Sequence, residues 1–199
     1  TTSFAGVDEG YEVTSWCGNT VRETSADKAQ YPGVSIAELF GEGLRGAMVA
    51  GSDHGTEAYY TGLPAELTAV HTTALTRDAV FDALKQGRTY ATTGQKVLLA
   101  FTVNGTPPGQ DQPPVAAAER RIRVTVGAAM PIIGIQVMRN GRPWKKLQPN
   151  ADLVQAFDVT DDQPPAGEGY YYVRIKTAQG HTTWSSPVFY VTADHLTPA

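Results

Sequence analysis

Two side chains able to bind a metal stand next to each other in the segment MVAGSDHGTEAYYTG, residues 48–62. Asp53 and His54 directly follow the apolar run AMVAG at 47–51, which is typical of a short buried strand. A carboxylate beside an imidazole is a suitable ligand pair for Zn, Mn or Fe. The same residues also fit a polar turn in which Asp53 caps main-chain amides and His54 is only polar. The pattern therefore leaves a metal site and a turn as two open interpretations.

Cys17 and Arg88 are the other candidate site residues. Cys17 is the single cysteine of the chain, so no internal disulfide can form. It is either a further metal ligand or a small, inert, buried side chain. Arg88, in GRTYATTG, has a guanidinium suited to bidentate binding of a substrate phosphate. The alternative for Arg88 is structural, with its guanidinium joining a helix end to a carboxylate.

The remaining histidines and the aromatic residues favour structural roles. His71 lies in an apolar strand, His181 at a predicted hairpin tip and His195 in the terminal tail. A set of aromatic residues alternates along the late strands, so half of it should be core and the outward half could stack on a sugar ring. This set consists of Tyr170, Tyr171, Tyr172, Trp184, Phe189 and Tyr190.

The elements that would position these residues change in type near residue 95. Before it, strand patterns at 11–15, 47–51 and 67–73 alternate with helix patterns at 35–43 and 76–88, which indicates an α/β unit with neighbouring parallel strands. Thr76 is the predicted N-cap of the second of these helices. After it every segment is strand-like, and Asn140-Gly141 predicts a type I′ hairpin. We therefore predict an α/β segment at 1–95 and an antiparallel β-sandwich at 96–199.

Composition excludes several classes of function. The net charge is −4 and the pI is near 5.5, so no basic surface indicates binding to nucleic acid or anionic lipid. No apolar run approaches the roughly 20 residues that span a bilayer. The compartment is not determined by these features.

Several ordered motifs resemble a known family. GSDHG, TGLPAELTAV, LTRDAVFDALKQGRTYATTG, LLAFTVNG and the final YYYVRIKTAQGHTTWSSPVFYV together resemble the C-terminal part of an uncharacterised bacterial family related to the PHP (polymerase and histidinol phosphatase) metallohydrolases. YEVTSWCGN at 11–19 resembles a strand of that family, with Cys17 where a His would stand. The likeness covers most of residues 47–192.

The resemblance implies an α+β fold, in which the last strands and helices of a distorted PHP-like (β/α) barrel precede the sandwich. It implies divalent metals that activate water, commonly for phosphoester hydrolysis of a small-molecule substrate. The family pattern also departs from this chain, which has no His-x-His and holds Asp53 and His54 adjacent instead of one residue apart. The expectation is therefore the C-terminal portion of a metal-dependent hydrolase, inactive without an N-terminal barrel half. The alternative is a non-catalytic carbohydrate- or protein-binding module.

Overall fold

A computed structural model describes residues 10–15, 36–41, 45–51, 66–109 and 119–191. Within these ranges the chain forms twelve strands and two helices. The helices are α1 (Ile36–Gly41) and α2 (Arg77–Lys85). The strands are β1 (Gly10–Ser15), β2 (Ala47–Gly51), β3 (Leu67–Val70), β4 (Thr89–Thr92), β5 (Val97–Val103), β6 (Arg120–Ala128), β7 (Ile132–Arg139), β8 (Arg142–Leu147), β9 (Val154–Asp161), β10 (Glu168–Thr177), β11 (Thr182–Ser185) and β12 (Val188–Val191).

The strands form three sheets. The largest has seven strands in the order β3-β4-β11-β10-β7-β8, with β12 also paired to β10, and all of its pairs are antiparallel. A second sheet has the order β5-β6-β9 and is antiparallel throughout. The third consists of β1 and β2, which run parallel. The large sheet contains strands from both sides of residue 95.

The main core lies between the seven-stranded and three-stranded sheets. Alternate residues of β5 are buried, as expected for a strand with one face on a core. They pack in one cluster with residues of β7 and β10, including Val137 and Val173. The two sheets therefore bury their facing surfaces against each other. The buried positions of β5 are Val97, Leu99, Phe101 and Val103.

The opposite face of the seven-stranded sheet is also covered. Ile36 and Phe40 of α1 and Met48 of β2 form a second cluster with Tyr172 and Trp184 of the sheet. Both faces of the large sheet are thus apolar, which explains why β10 carries the nearly unbroken apolar run Tyr170–Ile175.

Two local predictions are confirmed. Asn140 and Gly141 have φ of 50° and 73°, the left-handed values that a type I′ turn requires between β7 and β8. Thr76 caps α2, where its hydroxyl accepts from the main-chain N–H of Ala79 at 3.3 Å. Both signals act within four residues, so their outcome does not depend on distant contacts.

The predicted α+β class with a partial PHP-like (β/α) barrel is wrong. The alternation of strand and helix suggested parallel neighbours, but β3 and β4 on either side of α2 pair antiparallel. A crossover helix must cover a sheet face, whereas α2 has only Ala83 buried and leaves Phe81 56% exposed. Among the described residues, only β1 and β2 are parallel, so the fold is mostly antiparallel β-structure.

Candidate functional site

The carboxyl ends of β1 and β2 form the first candidate site. The two strands are parallel, and their last residues, Ser15 and Gly51, are paired, after a register shift between Glu12 and Thr14. Cys17 and Asp53 each lie two positions beyond these residues in the sequence. Cys17, Asp53 and His54 themselves lie outside the described residues, so their side chains are not placed. The structure does place Ser15 and Gly51, the last residues of the two strands, side by side.

Side-chain hydroxyls bind the main chain of β2 along the edge that faces away from β1. The main-chain N–H of Met48 donates to the Ser186 hydroxyl at 2.8 Å, and the Thr89 hydroxyl donates to the Met48 carbonyl at 2.8 Å. The two hydroxyl oxygens are 2.9 Å apart. Because the Thr89 proton is already committed to Met48, Ser186 donates to Thr89. The three groups therefore close a ring of hydrogen bonds in the interior.

Thr68 repeats this arrangement one step further along β2. Its hydroxyl accepts from the Ala50 N–H at 2.9 Å and donates to the Ala50 carbonyl at 2.7 Å. The polar main-chain groups of alternate residues on this side of β2 are thus satisfied, as buried groups must be. These contacts fix β2 on the large sheet.

Arg88 lies just after α2 and pairs with a carboxylate of that helix. Its Nη2 atom is 2.9 Å from Oδ2 of Asp82, and Asp82 also accepts from the side-chain amide of Gln86. The main chain of Arg88 is bound as well, since its carbonyl accepts from the His71 N–H. This contact is of the structural kind named above, and the phosphate-binding role of Arg88 stays a prediction.

The two described histidines, His71 and His181, have different contacts. His71 follows β3, and its ring lies 5.3 Å from that of Tyr90, centroid to centroid. Partial burial lowers the pKa of His71, and a main-chain hydrogen bond with Leu99 only partly offsets this. Nδ1 of His181 lies 2.9 Å from the Thr93 carbonyl oxygen, at the end of the β10–β11 hairpin. His195 lies outside the described residues.

The aromatic set does not form an open platform. All six members are buried, with Trp184 the most exposed at 9%. Tyr171 and Tyr190 face the core between the sheets, whereas Tyr170, Tyr172, Trp184 and Phe189 pack beneath α1 and β2. The outward half is therefore covered by other parts of the chain and presents no free face to a sugar ring.

A buried charged network was missed from the sequence. Asp161, 2% exposed, accepts from the Tyr171 hydroxyl at 2.7 Å and from Nη1 of Arg139 at 2.6 Å. Arg120 is fully buried opposite Asp161 in the β6–β9 pair and lies over the Tyr190 ring. Burial and the bond to Asp161 both raise the pKa of Tyr171. The sequence did contain a signal: Arg120 lies two and four residues before Ile122 and Val124, so all three side chains of this strand point to the same, buried face.

A pocket of about 270 Å³ lies where α1 meets the ends of β10 and β12. Arg45 and Glu168 stand on its rim, 3.9 Å apart, and the Arg45 guanidinium lies 5.5 Å from the centre of the Phe189 ring. Asn140 of the hairpin turn and Phe40 of α1 also line it. We call this the α1–β10 pocket.

Two features are absent from the described residues. They contain no group of three or more His, Cys, Asp or Glu side chains that could hold a metal ion. In that same part of the chain, no helix is both long and apolar enough to cross a bilayer.

Comparison with known proteins adds relatives whose function is not described. A family profile named Protein of unknown function (DUF3604) matches residues 19–106. An uncharacterized protein of Chlamydia muridarum is 27% identical over 203 residues, which cover 89% of this chain and 32% of the relative. A similar protein of Chlamydia trachomatis is 31% identical over 137 residues, covering 62% of this chain and 22% of the relative. The chain thus spans a third or less of these relatives.

Proposed function

We propose that this chain forms part of a metal-dependent hydrolase and supplies ligands for a divalent metal from the carboxyl ends of β1 and β2. The observation that carries the proposal is the pairing of Ser15 with Gly51, the last residues of the two parallel strands. Parallel strands deliver the segments that follow them to one edge, so Cys17 leaves from the same place as Asp53 and His54. This role does not require the barrel that the structure excludes.

The donor set fits such a metal. A carboxylate, an imidazole and a thiolate are all zinc ligands, and the first two also suit Mn or Fe. Bound metal would lower the pKa of its water and so supply a nucleophile for hydrolysis, with a phosphoester as the proposed substrate class. Within this chain, Asp53 and His54 would bind the ion, while Thr68 and the Thr89–Ser186 pair hold the strand from which they emerge.

The remaining ligands are proposed to come from other parts of a longer protein. Three side chains are too few to bind several metal ions. The relatives are about three times as long as the region that matches this chain, so a longer protein has room for further ligands. In this proposal residues 1–199 alone do not hydrolyse a phosphoester, because the site is incomplete without those further groups.

The experiment measures metal content in the longest natural form of the protein. Purified wild-type protein and its Asp53→Asn variant are analysed by elemental mass spectrometry and assayed with p-nitrophenyl phosphate. We expect the variant to lose metal and activity while its circular dichroism is unchanged. Asp162→Asn, an exposed acid after β9, is the matched control and should retain both. Wild-type protein without metal, or an Asp53→Asn variant with undiminished activity, contradicts the proposal.

A non-catalytic binding module is the second candidate function. The α1–β10 pocket favours it, because a concave site with converging polar groups is the usual form of a ligand-binding site. A binding role needs none of the metal ligands, so the two candidates can be tested separately.

A further inference from the structure

On the large sheet, β2 runs in the same direction as β4. Near the start of β2, the Met48 carbonyl accepts from the hydroxyl of Thr89, the first residue of β4. Two residues later, Ala50 binds the hydroxyl of Thr68, which pairs with Ala91 of β4. Each strand has advanced by two residues between these contacts. The carboxyl ends of β2 and β4 therefore lie at the same end of the large sheet.

His181 is held at this end of the sheet. It directly precedes β11, in which Thr183 pairs antiparallel with Thr92, the last residue of β4. The carbonyl of His181 accepts from the Thr177 N–H at 3.0 Å, and its ring contacts Thr93, the residue that follows β4. Both the main chain and the imidazole of His181 are thus fixed beside the carboxyl end of β4.

The contact with Thr93 determines which ring nitrogen of His181 carries the proton. Nδ1 lies 2.9 Å from the Thr93 carbonyl oxygen, and the Thr93 hydroxyl oxygen is further away at 3.2 Å. A carbonyl oxygen only accepts, so Nδ1 is the donor and the neutral ring keeps its lone pair on Nε2. A carbonyl or carboxylate on the other ring nitrogen is the usual way in which a metal-binding histidine is oriented.

A carboxylate lies at the same end of the sheet. Glu66 directly precedes β3, whose first residue, Leu67, pairs with Thr92. Its Oε2 atom is buried and has no hydrogen-bond partner among the residues that the structure describes. Burying a carboxylate oxygen is costly unless a donor or a cation contacts it. A metal ion bound at this end of the sheet would provide such a contact.

We propose that His181 binds the divalent metal of the proposed site through Nε2. This rests on the metal-dependent function proposed above, in which Asp53 and His54 supply ligands two and three residues after β2 ends. Because β2 ends where the His181 ring is held, the large sheet contributes an imidazole to the same ion. The set of carboxylate and imidazole ligands is one that zinc accepts.

The test measures metal affinity in the longest natural form of the protein. His181→Asn keeps a side-chain N–H near the position of Nδ1, which preserves the donor to the Thr93 carbonyl and removes Nε2. His71→Asn is the matched control, because His71 follows β3 at the opposite end of the sheet. Competition with a chromophoric chelator gives the Zn²⁺ affinity, and the absorption spectrum of bound Co²⁺ reports on its ligands. His181→Gln, which also lacks the imidazole, replaces His181→Asn if that variant does not fold.

We expect His181→Asn to weaken Zn²⁺ binding by about 100-fold and to change the Co²⁺ spectrum. Removing only an outer partner of a metal ligand already costs about 10–100-fold in affinity, and here a ligand itself is lost. His71→Asn should keep the wild-type affinity and spectrum. Circular dichroism of each variant checks that the fold is retained.

The outcomes separate this inference from the proposed function. Weaker Zn²⁺ binding with an altered Co²⁺ spectrum in His181→Asn, and not in His71→Asn, supports it. If Asp53→Asn loses the metal while His181→Asn keeps the wild-type affinity, the inference fails and the proposed function stands. An unchanged Co²⁺ spectrum in His181→Asn, or an equal loss of affinity in His71→Asn, also overturns it. If the wild-type protein binds neither ion, both proposals fail.

Discussion

The hydroxyl oxygens of Thr89 and Ser186 lie 2.9 Å apart in the interior, although the two residues are 97 positions apart in the chain. Between them they bind the N–H and the carbonyl of Met48. These two buried hydroxyls therefore attach β2 to the large sheet at Met48, as Thr68 does at Ala50. These side-chain bonds take the place of a strand ladder on this side of β2, and isosteric substitutions can test them.

Thr89→Val should destabilise the protein. The substitution keeps the shape of the side chain but leaves the Met48 carbonyl without its donor, which costs about 1–3 kcal/mol in the free energy of unfolding. Urea unfolding followed by tryptophan fluorescence measures the change. Thr160→Val, on an exposed face of β9, is the matched control and should change stability by less than about 0.5 kcal/mol. Equal shifts in the two variants would contradict the role assigned to Thr89.

Asp161→Asn should be more damaging than the same change at an exposed ion pair. Asp161 is buried and binds both Arg139 and Tyr171, so neutralising it leaves Arg139 without its counter-charge and should cost about 3 kcal/mol. The comparison is Asp158→Asn, which breaks the exposed pair with Arg123. Water solvates both members of that pair, and thermal unfolding should show no resolvable change. Similar melting temperatures for the two variants would refute the distinction.

Gly169→Ala should destabilise the fold and also disturb the α1–β10 pocket. The added methyl group would meet Tyr190 and Asn140, and overpacking of this kind costs about 1–3 kcal/mol. Gly134→Ala in β7 is the control, because its new Cβ would meet only Lys176, at 3.9 Å. Urea midpoints of both variants, with the Asn140 side-chain amide signal, give the measurement. An unchanged midpoint and amide signal in Gly169→Ala would show that the pocket can widen freely.

His71 should make the protein less stable in mild acid. Partial burial holds its pKa below the ordinary value of 6.5, so the folded state resists a proton that the unfolded chain accepts. Stability is therefore lost as the pH falls from about 7.5 to about 5.5. His71→Gln should reduce this loss, measured as the difference in urea midpoint between the two pH values. Thr72→Val, a neighbour that does not titrate, should keep the wild-type difference; if His71→Gln also keeps it, the assignment fails.

Local signals in the sequence were sufficient for individual elements. The cap at Thr76 and the turn at Asn140-Gly141 were predictable because each depends on one residue type and a few neighbouring main-chain groups. Strand segments followed from alternation. None of these signals says which strand lies beside which.

Strand pairing could not be predicted because it depends on contacts between distant segments. The run from β3 through α2 to β4 has the order of a parallel crossover unit. In the structure, however, β3 and β4 pair antiparallel, and Ala83 is the buried residue of α2. For the same reason the Thr89–Ser186 pair could not be predicted, because no sequence pattern links two hydroxyl side chains in distant segments. The burial of Arg120 could be predicted from the alternation of its strand, but its pairing with Asp161 could not.

The pairing of β4 with β11 bears on how shorter recombinant versions should be designed. Trp184 of β11 stands opposite Ala91 of β4, so a fragment starting at residue 96 would leave β11 with bare main-chain donors and acceptors along one side. Such an edge recruits strands from other molecules and promotes aggregation. Fragments meant for biochemistry should therefore begin upstream of Leu67, so that β3 and β4 are present and β11 keeps its partner strand.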